Sequence, residues 1–164
     1  MSPSPTERLR FRSWAAADLD LARRLWGDPR VTRYIDVREV IPEAEVRSRL
    51  QAERAFEAEH GFQYWPIFEG DAFVGCCGLR PYAPRVAELG VHLVVEAWCR
   101  GLATEAARAV VTHARSLDLD ALFAGHNPDN APSRRMLEKL GFTYTHDELY
   151  APTGRLHPSY RLEL

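Results

Sequence analysis

Val95-Glu96-Ala97-Trp98-Cys99-Arg100-Gly101-Leu102-Ala103-Thr104-Glu105-Ala106 reads as a strand end, a tight turn and a helix start. At such a junction the first backbone N–H groups have no partner within the helix and the positive end of its dipole points outward, so the turn suits a diphosphate. Gly101 and Ala103 are small enough to let phosphate oxygens reach the backbone, and Arg100 is a candidate ion-pair donor. An ordinary strand-to-helix turn explains the same residues, and no GxxxxGK[ST] pattern marks a P-loop.

Upstream of the turn, Val86–Val95 alternates as a central strand: Leu89, Val91, Leu93 and Val95 share one face, and Glu88, Gly90 and His92 the other. Downstream, Gly101–Leu117 carries small apolar residues at helical spacing, Leu122–Ala124 is a short strand and Asn130–Leu140 a short helix. In that helix Asn130 is a good N-cap, Pro132 falls in the first turn and Gly141 closes the end. Thr143–Tyr150 and His157–Leu164 form a last hairpin around Pro152-Thr153-Gly154.

Before the central strand come a strand at Arg8–Arg12, a helix within Ala15–Trp26, a helical turn at Val31–Ile35 and a charged helix from Pro42 to Glu59. Phe62–Phe68 and Ala72–Leu79 then make a hairpin. This order predicts an α+β fold with a mixed, mainly antiparallel sheet and helices on both faces. The regular βα alternation of a doubly wound parallel fold is missing from the first half.

The chain has 164 residues and 18.7 kDa, which predicts a single domain over residues 1–164. With 46% hydrophobic residues there is enough apolar surface for a core, which excludes wholesale disorder. Twenty-one basic residues against 23 acidic give net charge −2, so no global field recruits nucleic acid or an anionic membrane. No apolar run approaches a membrane span and the start lacks the hydrophobic run of a secretory signal, so the expectation is a cytoplasmic protein. The three cysteines include the neighbours Cys76 and Cys77, with no CxxC or Cys/His set, which predicts reduced thiols and no metal site.

Taken together, Ala87-Glu88-Leu89-Gly90, Trp98 through Ala106, and Asn130-x-x-Ser133 followed by Glu138-Lys139-Leu140-Gly141-Phe142 resemble the GNAT superfamily of acetyl-CoA-dependent N-acetyltransferases, on the branch of the ribosomal-protein N-terminal acetyltransferases. The resemblance spans nearly the whole chain, from Thr6-Glu7-Arg8-Leu9-Arg10 onward. It implies a sheet splayed in the middle, with acetyl-CoA between the Val86–Val95 and Leu122–Ala124 strands. Backbone amides of Cys99, Arg100, Gly101, Leu102, Ala103 and Thr104 would hold the pyrophosphate. The backbone of Leu93, Val94 and Val95 would run beside the pantetheine arm and acetyl carbonyl, and Asn130 would bond the pantetheine.

Three residues depart from the family pattern, among them Leu102, which stands where the family's turn usually has a tyrosine. Cys99 stands where a glycine is usual, so a positive φ there would be strained, and Leu137 stands where many relatives have a tyrosine acid. Ser133 or a water would then protonate the leaving thiolate. A thiol with a reference pKa near ~8.5 leaves tolerably at neutral pH, so the acid is helpful rather than obligatory. The amine is the harder problem, because only its neutral form attacks: roughly a tenth of an α-amine is neutral at pH 7, against about 0.04% of a lysine.

Glu88 is the first candidate for orienting or deprotonating that amine, the alternative being an ion pair with an arginine. His92 is second, against a hydrogen-bonded sheet histidine, and His126 third, while His113 reads as surface or packing. Tyr34, Tyr64 and Trp65 are candidates for an acceptor pocket or for the core. The expected reaction is direct transfer of acetyl to a primary amine, either a protein N-terminus or a small molecule such as an antibiotic, polyamine or amino acid. A non-catalytic acyl-CoA-binding module is the rival of another class. The sequence leaves the state open between monomer and homodimer.

Overall fold

The computed structural model describes residues 1–38 and 40–164; Glu39 lies outside the described residues. Strands β1 (Leu9–Phe11), β2 (Tyr64–Glu69), β3 (Ala72–Ala83), β4 (Val86–Leu93), β5 (Ala121–Gly125), β6 (Thr143–Tyr150) and β7 (Arg155–Glu163) form one sheet in the order β1-β2-β3-β4-β5-β7-β6. Every neighbouring pair is antiparallel except β4–β5. The helices are α1 (Leu19–Trp26), α2 (Pro29–Thr32), α3 (Glu43–His60), α4 (Leu102–Ala114) and α5 (Ala131–Lys139).

Cross-strand register sorts the two faces. Tyr64 opposes Gly78, which opposes Gly90, and Arg80 opposes Glu88, so these residues share a face. Helix α3 packs there through Glu53, which bonds Tyr64 and Arg80, and α1 through Trp26, which bonds His92. On the other face Trp65 opposes Cys77 and Cys77 opposes Val91; there His113 of α4 meets the Trp65 ring edge-on at 5.3 Å. The α4 face of Ala106, Ala107, Val110 and Ala114 is fully buried, and its small side chains let the helix lie close to β3 and β4. Helices on both faces of a mixed sheet are what the order of elements predicted.

The β4–β5 pairing lasts only from Val86↔Ala121 to Glu88↔Phe123. Beyond it β4 stays with β3 as far as Gly75↔Leu93, while β5 follows β7 to Gly125↔Ser159, and the sheet opens.

Some boundaries differ from the sequence reading. Strand β4 stops at Leu93, and Val95–Ala97 is a 3-10 turn closed by N–H bonds from Ala97 to Val94 O and from Trp98 to Val95 O, so Val95 does not continue the strand face of Leu93. Strand β3 runs past Leu79 to Ala83 by absorbing Pro81 in an irregularity of register. Helix α4 ends short of Leu117, where the Ser116 and Leu117 N–H groups fall back onto His113 and Ala114 carbonyls in tight turns.

Candidate active site

The opening between β4 and β5 is a cleft of about 300 Å3. Strand β4 gives it Glu88, Gly90 and His92, β5 and its following loop give Phe123 to Asn127, and α5 gives Ser133 and Leu137 with the cap Asn130 beside them. Glu88, His92, Asn130 and Ser133, far apart in the chain, thus line one cavity. Tyr34 and Tyr64 line it too, whereas Trp65 is on the opposite face, its indole N–H donating to Glu57 Oε1 at 3.3 Å, and His113 is there with it. Arg49, Arg80, Tyr82 and Glu148 also reach the cleft and were not singled out from sequence. No local motif marks them, because long-range strand register brings β3 and β6 to this point and packing of α3 on the sheet brings Arg49.

Glu88 is half-buried and, among the described residues, has no ion-pair partner: Arg80, directly opposite it, is committed to Glu53. Desolvation pushes the Glu88 carboxyl above the usual range, with Arg80 opposing and Glu148 adding to the rise. His92 differs in kind. Trp26 donates its indole N–H to His92 Nδ1 at 3.1 Å, and because an indole N–H only donates, Nδ1 must be the acceptor and the ring proton sits on Nε2. Burial, reinforced by Arg80 and Arg49, pushes its pKa down to about 3. At neutral pH this ring offers the cleft an N–H donor rather than a base, so of the two tasks assigned to His92 the geometry suits orienting and not deprotonation. His126 is buried, with Nδ1 2.8 Å from Asn127 O and Nε2 3.4 Å from the Tyr160 hydroxyl.

The stretch from Leu93 to Thr104 continues from the end of β4 into α4 without lining the cleft. Cys99 is exposed and takes φ 57°, and Gly101 takes φ 76°, so the turn does impose the left-handed conformation on a non-glycine residue. Among the described residues no side chain caps α4, leaving its first N–H groups free for an anion. Among the described residues a Cβ at Gly101 would meet only Arg8 Nη2 within 4 Å, at 3.7 Å, so the approach to the turn is open. The Arg100 side chain is engaged with β2: its Nη2 donates to both Glu69 oxygens, at 2.9 and 2.7 Å. Leu93 O accepts from the Trp98 indole at 3.0 Å, and Val94 N–H donates to Val74 O. Asn130 Oδ1 accepts from Ser133 N–H at 3.3 Å, which fixes the start of α5 and leaves the Asn130 amide N–H2 group available to a ligand. Among the described residues no cluster of three or more His, Cys, Asp or Glu side chains is placed to hold a metal ion, and no helix is long and apolar enough to cross a membrane.

Residues 8–143 match the family described as "Acetyltransferase (GNAT) domain". The chain is 30% identical over 142 residues to the uncharacterized N-acetyltransferase p20 of Bacillus licheniformis, covering 84% of this chain and 80% of that protein. Among solved structures, the acetyltransferase from Agrobacterium tumefaciens str. C58 superposes with a TM-score of 0.82 at 25% identity, over 100% of this chain and 95% of that one. RimL, a ribosomal L7/L12 alpha-N-protein acetyltransferase in complex with coenzyme A, superposes with a TM-score of 0.84 at 17% identity, over 98% and 97%. At that identity the likeness to RimL is one of fold.

Proposed function

The chain belongs to the GNAT family of N-acetyltransferases, and from that premise we propose that it uses acetyl-CoA to acetylate a primary amine, in the form of a protein's N-terminal α-amine. The observation that carries the reading is the opening of the sheet just past Glu88↔Phe123, with a carboxylate on one wall and an uncapped helix N-terminus at the end of the same strand. The turn fits a pyrophosphate through the free amides of Cys99 to Thr104, and the Leu93–Val95 backbone and the Asn130 amide would follow the pantetheine. When bound, acetyl-CoA supplies the thioester. Glu88 takes a proton from the acceptor ammonium, directly or through a water, and Ser133 or a water returns one to the departing sulfur, in place of the tyrosine that Leu137 replaces.

An α-amine suits this machinery because one weak base is enough for it. Roughly a tenth of it is already neutral at pH 7, a fraction more than two hundred times that of a lysine. The name of RimL, which shares this fold, points the same way. The test is a thermal midpoint with acetyl-CoA followed by acetyl transfer to a peptide with a free N-terminal Ala or Ser, with N-blocked peptide, free lysine and a polyamine as comparators. Saturating acetyl-CoA at about 100-fold over Kd should add about 2.7 kcal/mol, on the order of 5–10 °C. Transfer confined to the free α-amine is expected. Turnover of the small amines alone would overturn the N-terminal reading in favour of a small-molecule acceptor.

The turn carries its own prediction. Gly101→Val puts a β-branched side chain at φ 76° and projects it into the open approach. It should cost about 1–2 kcal/mol of stability and weaken acetyl-CoA binding by about tenfold or more, read by thermal melt and calorimetry; unchanged affinity would place the pyrophosphate elsewhere.

A further inference from the structure

A groove crosses the sheet at right angles to the strands. Tyr64 on β2, Gly78 on β3 and Gly90 on β4 are consecutive partners on one face. A Cβ on Gly78 would overlap Gln63 O and the Tyr64 backbone, and a Cβ on Gly90 would overlap the Tyr64 hydroxyl and the end of its ring. Gly78 thus lets the β2 and β3 backbones approach closely, and Gly90 leaves the space for the phenol, which reaches from β2 across β3 and ends with its oxygen over Gly90. Gly90 sits between Glu88 and His92 on that face, so the hydroxyl arrives at the centre of the cleft wall.

The ring is held from behind. Glu53 of α3, fully buried, accepts from Tyr64 N–H at 2.7 Å and from Arg80 Nε at 3.0 Å, and the Arg80 guanidinium lies 4.1 Å from the centre of the Tyr64 ring. His92 meets the ring edge-on, with centroids 5.6 Å apart. Tyr64 is only 4% exposed, yet among the described residues its hydroxyl has no hydrogen-bond partner and is not one of the sealed polar atoms. A buried phenol almost always finds a partner. Here the partner must come from the cleft.

Resting on the reading of Glu88 given above, we infer that the Tyr64 hydroxyl contacts the acceptor amine, taking one of its N–H groups while Glu88 takes the other, so that the site selects primary amines. Once the ammonium has given a proton to Glu88, a primary amine has a lone pair and two N–H groups. With the lone pair aimed at the thioester carbon, one N–H faces Glu88 and the other faces Tyr64 Oη. Glu88 passes that first proton to solvent. As the C–N bond forms and the C–S bond breaks, Glu88 takes the nitrogen's second proton and the thiolate gains one from Ser133 or a water, which Glu88 or solvent reprotonates. One proton is thus released per turnover, and Tyr64 keeps its own throughout. A secondary amine has no N–H left for Tyr64.

Tyr64→Phe keeps the ring, its contact with the Arg80 guanidinium and its place beside Gly90, and removes only the hydroxyl. In that variant kcat/KM for a peptide with a free N-terminal alanine should fall about tenfold to a hundredfold. For the same peptide starting with N-methylalanine it should change by less than about threefold, with the thermal midpoint and KM for acetyl-CoA preserved. Gly90→Ala, which displaces the hydroxyl without removing it, should narrow the same ratio. Equal losses on the two peptides would make Tyr64 a packing residue and overturn the inference, as would no loss on either. If the wild-type chain acetylates neither peptide but turns over a small amine, only the N-terminal reading fails and the primary-to-secondary ratio is read on that amine; no turnover of any amine overturns both.

Discussion

Glu88→Gln should lower kcat for acetyl transfer by about 10²–10⁴-fold with little change in KM for acetyl-CoA, because it removes the carboxylate while preserving its shape. The pH profile gives the sharper signature. Burial and Glu148 raise the carboxyl above its ordinary value against the pull of Arg80. Its ionised form therefore accumulates only as pH climbs through that raised value, and kcat/KM for the amine should climb with it at a pH above the ordinary carboxylate range. In Glu88→Gln that limb should vanish, leaving only the titration of the amine itself. The sign for stability is opposite. A folded pKa above the unfolded one means that ionising Glu88 opposes folding at pH above the unfolded value, and that this penalty disappears as pH falls below it. Glu88→Gln should thus be as stable as the wild type or more so at neutral pH, with the two curves meeting in acid. An undiminished kcat would remove Glu88 from the reaction; an unchanged acid limb with lowered kcat would assign that limb to another group.

The alternation of Val86 to Leu93 was legible because period two is a local property, and it placed Glu88, Gly90 and His92 on one face before any fold was known. The cap at Asn130 and the turn at Gly101 were legible for the same reason: each is a constraint on a few neighbouring residues. What the sequence could not show was which way a shared side chain is spent. Arg100 looked like a phosphate ligand, but Glu69 on β2 claims it. Arg80 looked like one arginine among many until register set it opposite Glu88 and α3 brought Glu53 beneath it. His92 stood between a group acting on the amine and a hydrogen-bonded sheet histidine, and only the distant Trp26 fixes its proton on Nε2. These are facts of tertiary pairing, which leave no mark at short range.

Glu53 shows how far such a pairing reaches. Its carboxylate is wholly buried, bonded to Arg80 and to the Tyr64 N–H, and desolvation pushes its pKa up against the pull of Arg80. Glu53→Ala leaves Arg80 three-quarters buried without a counter-charge and Tyr64 N–H without an acceptor, and should cost about 3–5 kcal/mol, on the order of 10 °C in thermal midpoint. The double replacement Glu53→Leu with Arg80→Met removes both charges together and should recover most of that loss, since a buried ion pair contributes little beyond an apolar pair of similar volume; the orphaned Tyr64 N–H keeps the recovery incomplete, by about 1–3 kcal/mol. Activity should not follow stability. Without the cation opposite it, Glu88 is raised further, so the acid limb of kcat/KM moves to higher pH, and the Tyr64 ring loses the guanidinium that lies against it. A double variant that regains both its midpoint and the wild-type pH profile would show that the pair only holds α3 to the sheet. One that regains the midpoint alone would show that the buried charge is kept for the chemistry above it.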